Sequence, residues 1–372
     1  AAHAGEVEVL HYWTSGGEAK SAAELKKMMQ AKGHTWRDFA VAGGGGDSAM
    51  TVLKSRVISG NPPSAAQVKG PAIQEWASEG VLGNMDALAK SEKWDEALPK
   101  VVADVMKYKG NYVAAPVNVH RVNWIWASSD ALKKAGVAAM PKTWDEFFAA
   151  ADKLKAAGLI PVAHGGQNWQ DFTTFESVVL GVGGPKFYQD ALVKLDDKAL
   201  TSDTMKKSLE TFRRIKTYTD PGAPGRDWNL ATAMLIQGKA GFQLMGDWAK
   251  GEFIAAGKAP GKDFMCAAAP GTANAFTFNV DSFILFKLKD AAAQKAQSDL
   301  ASAIMSPGFQ EVFNLNKGSI PVRAGQSMDK FDDCAKASAK DFADTAKSGG
   351  LVPSVAHGMA IAPATEGAIK DA

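Results

Sequence analysis

EVEVLHYWTSGGEAKSAAELKKMM, residues 6 to 29, decides the fold. Glu6 to Trp13 alternates polar and apolar side chains, the mark of a half-buried strand, and Ala22, Leu25, Met28 and Met29 then recur at helical spacing. The link is Thr14-Ser15-Gly16-Gly17-Glu18, so Trp13 closes a strand and Glu18 opens a helix. Open α/β sheets take their ligands at such carboxyl ends. An indole face, the bare backbone of Gly16 and Gly17, and a carboxylate suit a molecule with an apolar ring face and a hydroxyl rim. A sugar has that shape. The competing reading is that Trp13 packs beneath its sheet, as tryptophans commonly do.

Outward from that unit, TWRDFAV (35–41) reads as a second strand, GGGGD (43–47) as a turn and SAMTVLKSRVIS (48–59) as a helix. NPPSAAQVKGP (61–71) gives a short buried strand, and a doubly wound lobe results. NYVAAPVNVHRVNWIWAS (111–128) holds two extended segments parted by an Ala-Ala-Pro break, where the chain is expected to cross to a second domain. Thr143 and Glu146 form a capping box ahead of Trp144, Phe147, Phe148, Ala151 and Leu154. LIPVAH (159–164) is a strand, and a helix over 203–218 shows Met205, Leu209, Phe212 and Ile215 as its apolar face. A helix closed by Gly238 precedes the strand AGFQLM (240–245), after which GDW (246–248) opens another helix. FTFNVDSFILF (276–286) alternates and then turns continuously apolar, as a strand does on entering a covered sheet, and is read as the return crossing. The remainder reads as helices interrupted by NKGSIPVRAG (316–325). The expected lobes are 1–116 with 277–318, and 117–276 with 319–372.

Composition narrows the function. Lys plus Arg number 42 against 40 for Asp plus Glu, interspersed along 372 residues, so there is no basic footprint for nucleic acid. No apolar run is long enough to span a bilayer. The alanine-rich start is read as what remains after a signal is cleaved, which makes an exported, periplasmic protein the expectation. Cys266 and Cys334 are too few for a zinc site and lack C-x-x-C spacing. In an exported chain they would form one disulfide; otherwise they are inert buried thiols.

Catalytic signatures are missing. There is no G-x-S-x-G elbow, and Gly43 to Gly46 fits neither phosphate-loop pattern. The six histidines (His3, His11, His34, His120, His164, His357) have no metal-ligand spacing, so neither metal nor cofactor is expected. A glycosidase needs two flanking carboxylates, for which Glu18 and Asp281 are the candidates, but both would serve binding equally well.

Several segments, in order along the chain, carry a resemblance. GVLGNMDAL (80–88) after NPPSAAQVKG, APVNVHRVNWIWAS (115–128) with DALKKAGV (130–137) and PKTWDEFF (141–148), and FQLMGDWAKGEF (242–253) with FTFNVDSFILF resemble the solute-binding proteins of ABC transporters. The likeness is to the carbohydrate-binding, maltose-binding-protein-like group, and within it to periplasmic glucose-binding proteins. It implies a type II periplasmic binding protein: two α/β lobes, three hinge crossings, a ligand cleft between the lobes, a monomer without catalysis, and delivery to a membrane permease. Carried over by position, the sugar-binding residues are Trp13 and Glu18 at the first strand-to-helix turn, Gln67 and Lys69 beyond the third strand, Trp248, Asn279, Asp281, Lys317 and His357. Asn118 and His120, at the first crossing, either line the cleft or satisfy its backbone.

These residue types fit the task. Asp281 and Glu18 accept from sugar hydroxyls, Lys69 and Lys317 donate, Asn279 does both, and Trp248 offers an apolar wall. Trp13 and Trp248 are the two assignable platforms; Trp36, Trp76, Trp94, Trp124, Trp126, Trp144, Trp169 and Trp228 read as packing or surface residues. Two platforms favour a monosaccharide, and the resemblance implies glucose first, with galactose and mannose behind it. A disaccharide, a sugar phosphate held by Lys69, Lys317 and Arg121, and a glycoside-acting enzyme are the alternatives.

Overall fold

The structure, a computed structural model, describes residues 5–43 and 46–372. The alanine-rich start with His3, and Gly44 and Gly45 of the expected glycine turn, lie outside the described residues. The chain divides into two compact units, one running to Val119 and resuming over Val280–Lys330, the other comprising His120–Asn279 and Phe331–Ala372. The divisions at 119/120 and 279/280 lie three residues past the expected 116/117 and 276/277 (119 − 116 and 279 − 276). The last, at 330/331, lies well beyond 318/319. Val119 and Ile320 exchange backbone hydrogen bonds of 3.0 and 3.1 Å, and Gln310 Oε1 accepts the Val322 N–H at 3.0 Å, which keeps this stretch on the first unit.

The first unit is built on a five-stranded sheet ordered Thr35–Ala40, Glu6–His11, Ala65–Gln67, Ser282–Leu285, Ala114–Pro116. The first three run parallel, and Ser282–Leu285 is antiparallel to both its neighbours. Glu6–His11 is buried on both faces rather than one, with only Glu6 exposed. Its inward Glu8 is tolerated because Arg56 and Arg37 both pair with the carboxylate. The Ala-Ala-Pro expected as a break is itself a strand; it lies at the sheet's edge, where the N–H that proline lacks is dispensable. Helix Gly16–Ala31 packs against helix Pro307–Lys317.

The second unit has a four-stranded sheet ordered Phe264–Ala268, Trp124–Ser128, Ala240–Leu244, Ile160–Val162, and a three-stranded one ordered Leu351–Pro353, Phe276–Asn279, His120–Arg121. FTFNVDSFILF is therefore two strands in two different sheets, separated by Val280 and Asp281. Leu351–Pro353 falls where only helices were expected; three residues between Gly350 and Ser354 are too few to show a period. Helix Asp203–Lys216 buries Met205, Ser208 and Ile215, whereas Leu209 is 51 % exposed. The buried stripe runs through 208 and 215, and Leu209 falls to one side of it.

Helix Asp333–Ser348 is fastened to this unit by a Cys266–Cys334 disulfide, by Lys250 on its N-cap Asp332 at 3.1 Å, and by buried Arg121 on Asp341 at 2.6 Å. The disulfide joins residues 68 apart in sequence. By loop entropy such a closure stabilises by about 4 kcal/mol. Urea titration of the oxidised protein and of a Cys266→Ser, Cys334→Ser variant is expected to give a clearly lower midpoint for the variant; equal midpoints would show that the bond adds nothing to the native state.

Candidate functional site

In the first unit the backbone around Trp13 is held by side chains rather than by sheet pairing. Tyr12 N–H donates to Gln67 Oε1 at 3.1 Å and Trp13 N–H to His11 Nδ1 at 3.2 Å. Burial lowers the His11 pKa to about 4 against the opposing attraction of Asp38, so the ring is neutral and its nitrogen can accept. The Trp13 indole is 3 % exposed. It meets Phe283 edge-on at 5.5 Å and Phe313 at 5.1 Å, so Trp13 packs against the sheet and the helix Pro307–Lys317 as well as standing at a strand's end.

Glu18 lies in the first turn of its helix, where the dipole favours an anion. It accepts from Ser15 Oγ at 3.1 Å and from Lys317 Nζ at 2.8 Å, with Glu18 and Lys317 both buried. Lys317 ends its own helix ahead of Gly318, whose φ of +93° forms the left-handed cap. Asn118 Nδ2 donates to Asp281 Oδ2 at 3.1 Å and Ser319 Oγ at 3.0 Å, and Asn118 Oδ1 accepts Asp281 N–H at 3.0 Å. Gln67 is fully buried, and its Nε2 has no partner. Lys69, two residues further on, is half-buried.

The second unit gathers His120, Trp248, Asn279 and His357. His120 sits opposite Asn279 in the antiparallel pair. His120 Nδ1 lies 2.5 Å from Asp247, whose other oxygen accepts Arg121 N–H at 2.9 Å. Trp248 follows Asp247, and its indole folds back over Gly246, where a Cβ would stand 2.1 Å from the ring. The indole packs edge-on against His120 at 5.2 Å and His357 at 4.8 Å. Asn279, 3 % exposed, leaves its Oδ1 without a partner.

One residue assigned to packing belongs with this group. Trp169 meets His357 edge-on at 5.8 Å, and Thr173, one turn on, lies 2.8 Å from His357 Nε2. The signal was present: GGQNW after LIPVAH repeats the glycine pair and tryptophan of a strand-to-helix turn, as in WTSGGE. Arg121, proposed for a phosphate, is fully buried and committed to Asp341, Asn123 and the Ala275 carbonyl. Burial pulls its pKa down while Asp341 opposes. No group of three metal-ligating side chains occurs among the described residues, and no helix there is long and apolar enough to cross a membrane.

The family model for bacterial extracellular solute-binding proteins matches residues 16–303. The chain belongs to that family. A Brucella suis relative named "Probable sugar-binding periplasmic protein" is 50 % identical over 98 % of this chain and 86 % of its own. The glucose-binding protein GlcS of Saccharolobus solfataricus is 25 % identical over 64 % of this chain and 45 % of its own. Among solved structures, the bacterial solute receptor AcbH, described as exclusive for β-D-galactopyranose, has a TM-score of 0.81 at 19 % identity, covering 99 % of this chain and 92 % of its own. The chain shares that receptor's fold.

Two outcomes follow from the buried charges. Lys317→Met strands the Glu18 carboxylate and is expected to destabilise the free protein by about 3–5 kcal/mol in urea titration. Glu176 in the second unit has its pKa raised by burial to about 7 from 4.5. The folded state then holds the proton more tightly than the unfolded chain, so this contribution is complete below about pH 4.5 and is lost as pH rises to about 7, up to about 3 kcal/mol. Glu176→Gln should flatten that part of the pH dependence between pH 5 and 8, measured as urea midpoints.

Proposed function

We propose that this protein is the periplasmic sugar receptor of an ABC importer, binding one monosaccharide and passing it unaltered to a membrane permease. Glucose is the leading ligand. The observation that carries the reading is a pair of buried, unpartnered polar atoms, the Gln67 Nε2 donor and the Asn279 Oδ1 acceptor. An unmade buried hydrogen bond costs about 1–3 kcal/mol, and a sugar hydroxyl, which both donates and accepts, would satisfy either atom. Buried paired charges at Glu18 and Lys317 and the Trp248 indole wall add charge-assisted donors and acceptors and an apolar ring face.

The names of relatives support the same class: sugar-binding periplasmic protein at 50 % identity, and a glucose-binding protein at 25 %. A sugar phosphate is less well supported, since Arg121 is sealed among its own partners and Lys317 is engaged by Glu18. The candidate glycosidase acids are likewise engaged, Glu18 by Lys317 and Asp281 by Asn118.

Titration calorimetry with glucose, galactose, mannose and maltose is expected to show tight one-site binding for a hexose. No heat from any hexose would overturn the proposal. Asn279→Ala separates binding from stability, because it removes an acceptor that has no partner in the free protein. Its free-state unfolding midpoint should stay close to wild type while hexose affinity falls by about tenfold, the equivalent of about 1.4 kcal/mol. Trp248→Ala, by contrast, should lose both, since His120 and His357 pack on the ring.

A further inference from the structure

His357 is held in place by a residue that lies well behind it. Helix Asn168–Tyr188 carries Thr173 and Glu176 one turn apart, and both grip the segment that follows the strand Leu351–Pro353. Glu176 is fully buried. Its Oε1 accepts from Ser354 Oγ at 2.5 Å. Its Oε2 accepts Val355 N–H and Ala356 N–H, each at 3.0 Å, and lies 2.9 Å from the Tyr188 hydroxyl. Ser354 Oγ in turn accepts His357 N–H at 3.2 Å. Tyr188 closes the ring, 2.9 Å from the Pro353 carbonyl and accepting Val355 N–H at 3.1 Å.

The chemistry is that of a carboxyl group held by fixed dipoles. Four donors converge on one carboxylate, and no cation is among its hydrogen-bond partners. Segment 353–356 therefore has its conformation set by Glu176. Thr173 then fixes the ring of the next residue through His357 Nε2, and Trp248 packs edge-on against that ring. Groups oriented this way keep a ligand-facing side chain within a narrow range of positions.

We infer that Glu176 is a positioning residue for sugar binding, acting through His357 by holding residues 354–356. This rests on the reading of His357 as a sugar ligand. Glutamine can imitate the arrangement, with its oxygen in the place of Oε2 and its amide donating to Ser354 Oγ, which accepts by turning its own proton. Alanine leaves all four donors behind.

The test is a double-mutant cycle read by glucose titration of the whole protein. Glu176→Ala should weaken glucose binding by about tenfold, a size ordinary for residues of one hydrogen-bonded network. Glu176→Gln should stay within about threefold of wild type. In a His357→Ala background, Glu176→Ala should add no further loss. An equal loss in both backgrounds overturns the inference, since Glu176 would then act on stability or elsewhere in the site. An unchanged affinity in His357→Ala alone overturns it too, while the Asn279 variant still reports whether the sugar site exists. If Glu176→Ala does not fold, Ser354→Ala takes its place in the cycle, removing both the acceptor of His357 N–H and a donor to Glu176, with the same two outcomes expected.

Discussion

The Asn118 carboxamide is the joint on which the first unit's arrangement depends. Its Nδ2 donates to Asp281 and to Ser319, and its Oδ1 accepts from the Asp281 N–H. These three residues are far apart in sequence, and two of them stand one residue from where the chain enters or leaves the unit. Val117 N–H adds a backbone bond to the Asp281 carbonyl at 2.8 Å. A carboxamide suits this position because it donates and accepts from one planar group; an aspartate there would face Asp281 with like charge. Ser319 passes the network on to Asn314 in the helix that ends at Lys317. The placement of Lys317, and with it the ion pair to Glu18, thus follows from the same amide.

A common economy governs the buried polar groups of both units. Charges are buried with a partner of opposite sign, as in Lys317 with Glu18 and Lys250 with Asp332, and the buried carboxyl of Glu176 is met by several dipoles. Atoms with no partner are the exception among the described residues, and two of them, on Gln67 and Asn279, are on side chains that the resemblance had already assigned to sugar. Side chains such as His11, made neutral by burial, serve the backbone instead.

Much of the fold was legible because strong local signals agreed with tertiary structure. The alternation before WTSGGE, the capping box at Thr143 and the GDW turn each mark an element that forms. The misses share a cause: short elements whose identity is decided by neighbours. Ala114–Pro116 becomes a strand because Ser282–Leu285 lies beside it, and Leu351–Pro353 because Phe276–Asn279 does; neither is long enough to carry a period. Of the candidate site residues, Trp13 and Glu18 were read from a strand's end, whereas Lys317, at a helix end, and His357 came from the resemblance. The part played by Glu176 was not legible, because nothing in the sequence of a helix interior announces three donors arriving from a segment 178 to 180 residues away.

The Cys266–Cys334 bond encircles more than its own unit. Residues 280–330, which complete the first unit, lie wholly inside the covalent ring, though both sulfurs belong to the second. The sheet of the first unit is incomplete without Ser282–Leu285, the strand between Ala65–Gln67 and Ala114–Pro116. The stretch that completes the first unit's sheet is thereby closed into a covalent loop whose two ends are anchored in the second unit.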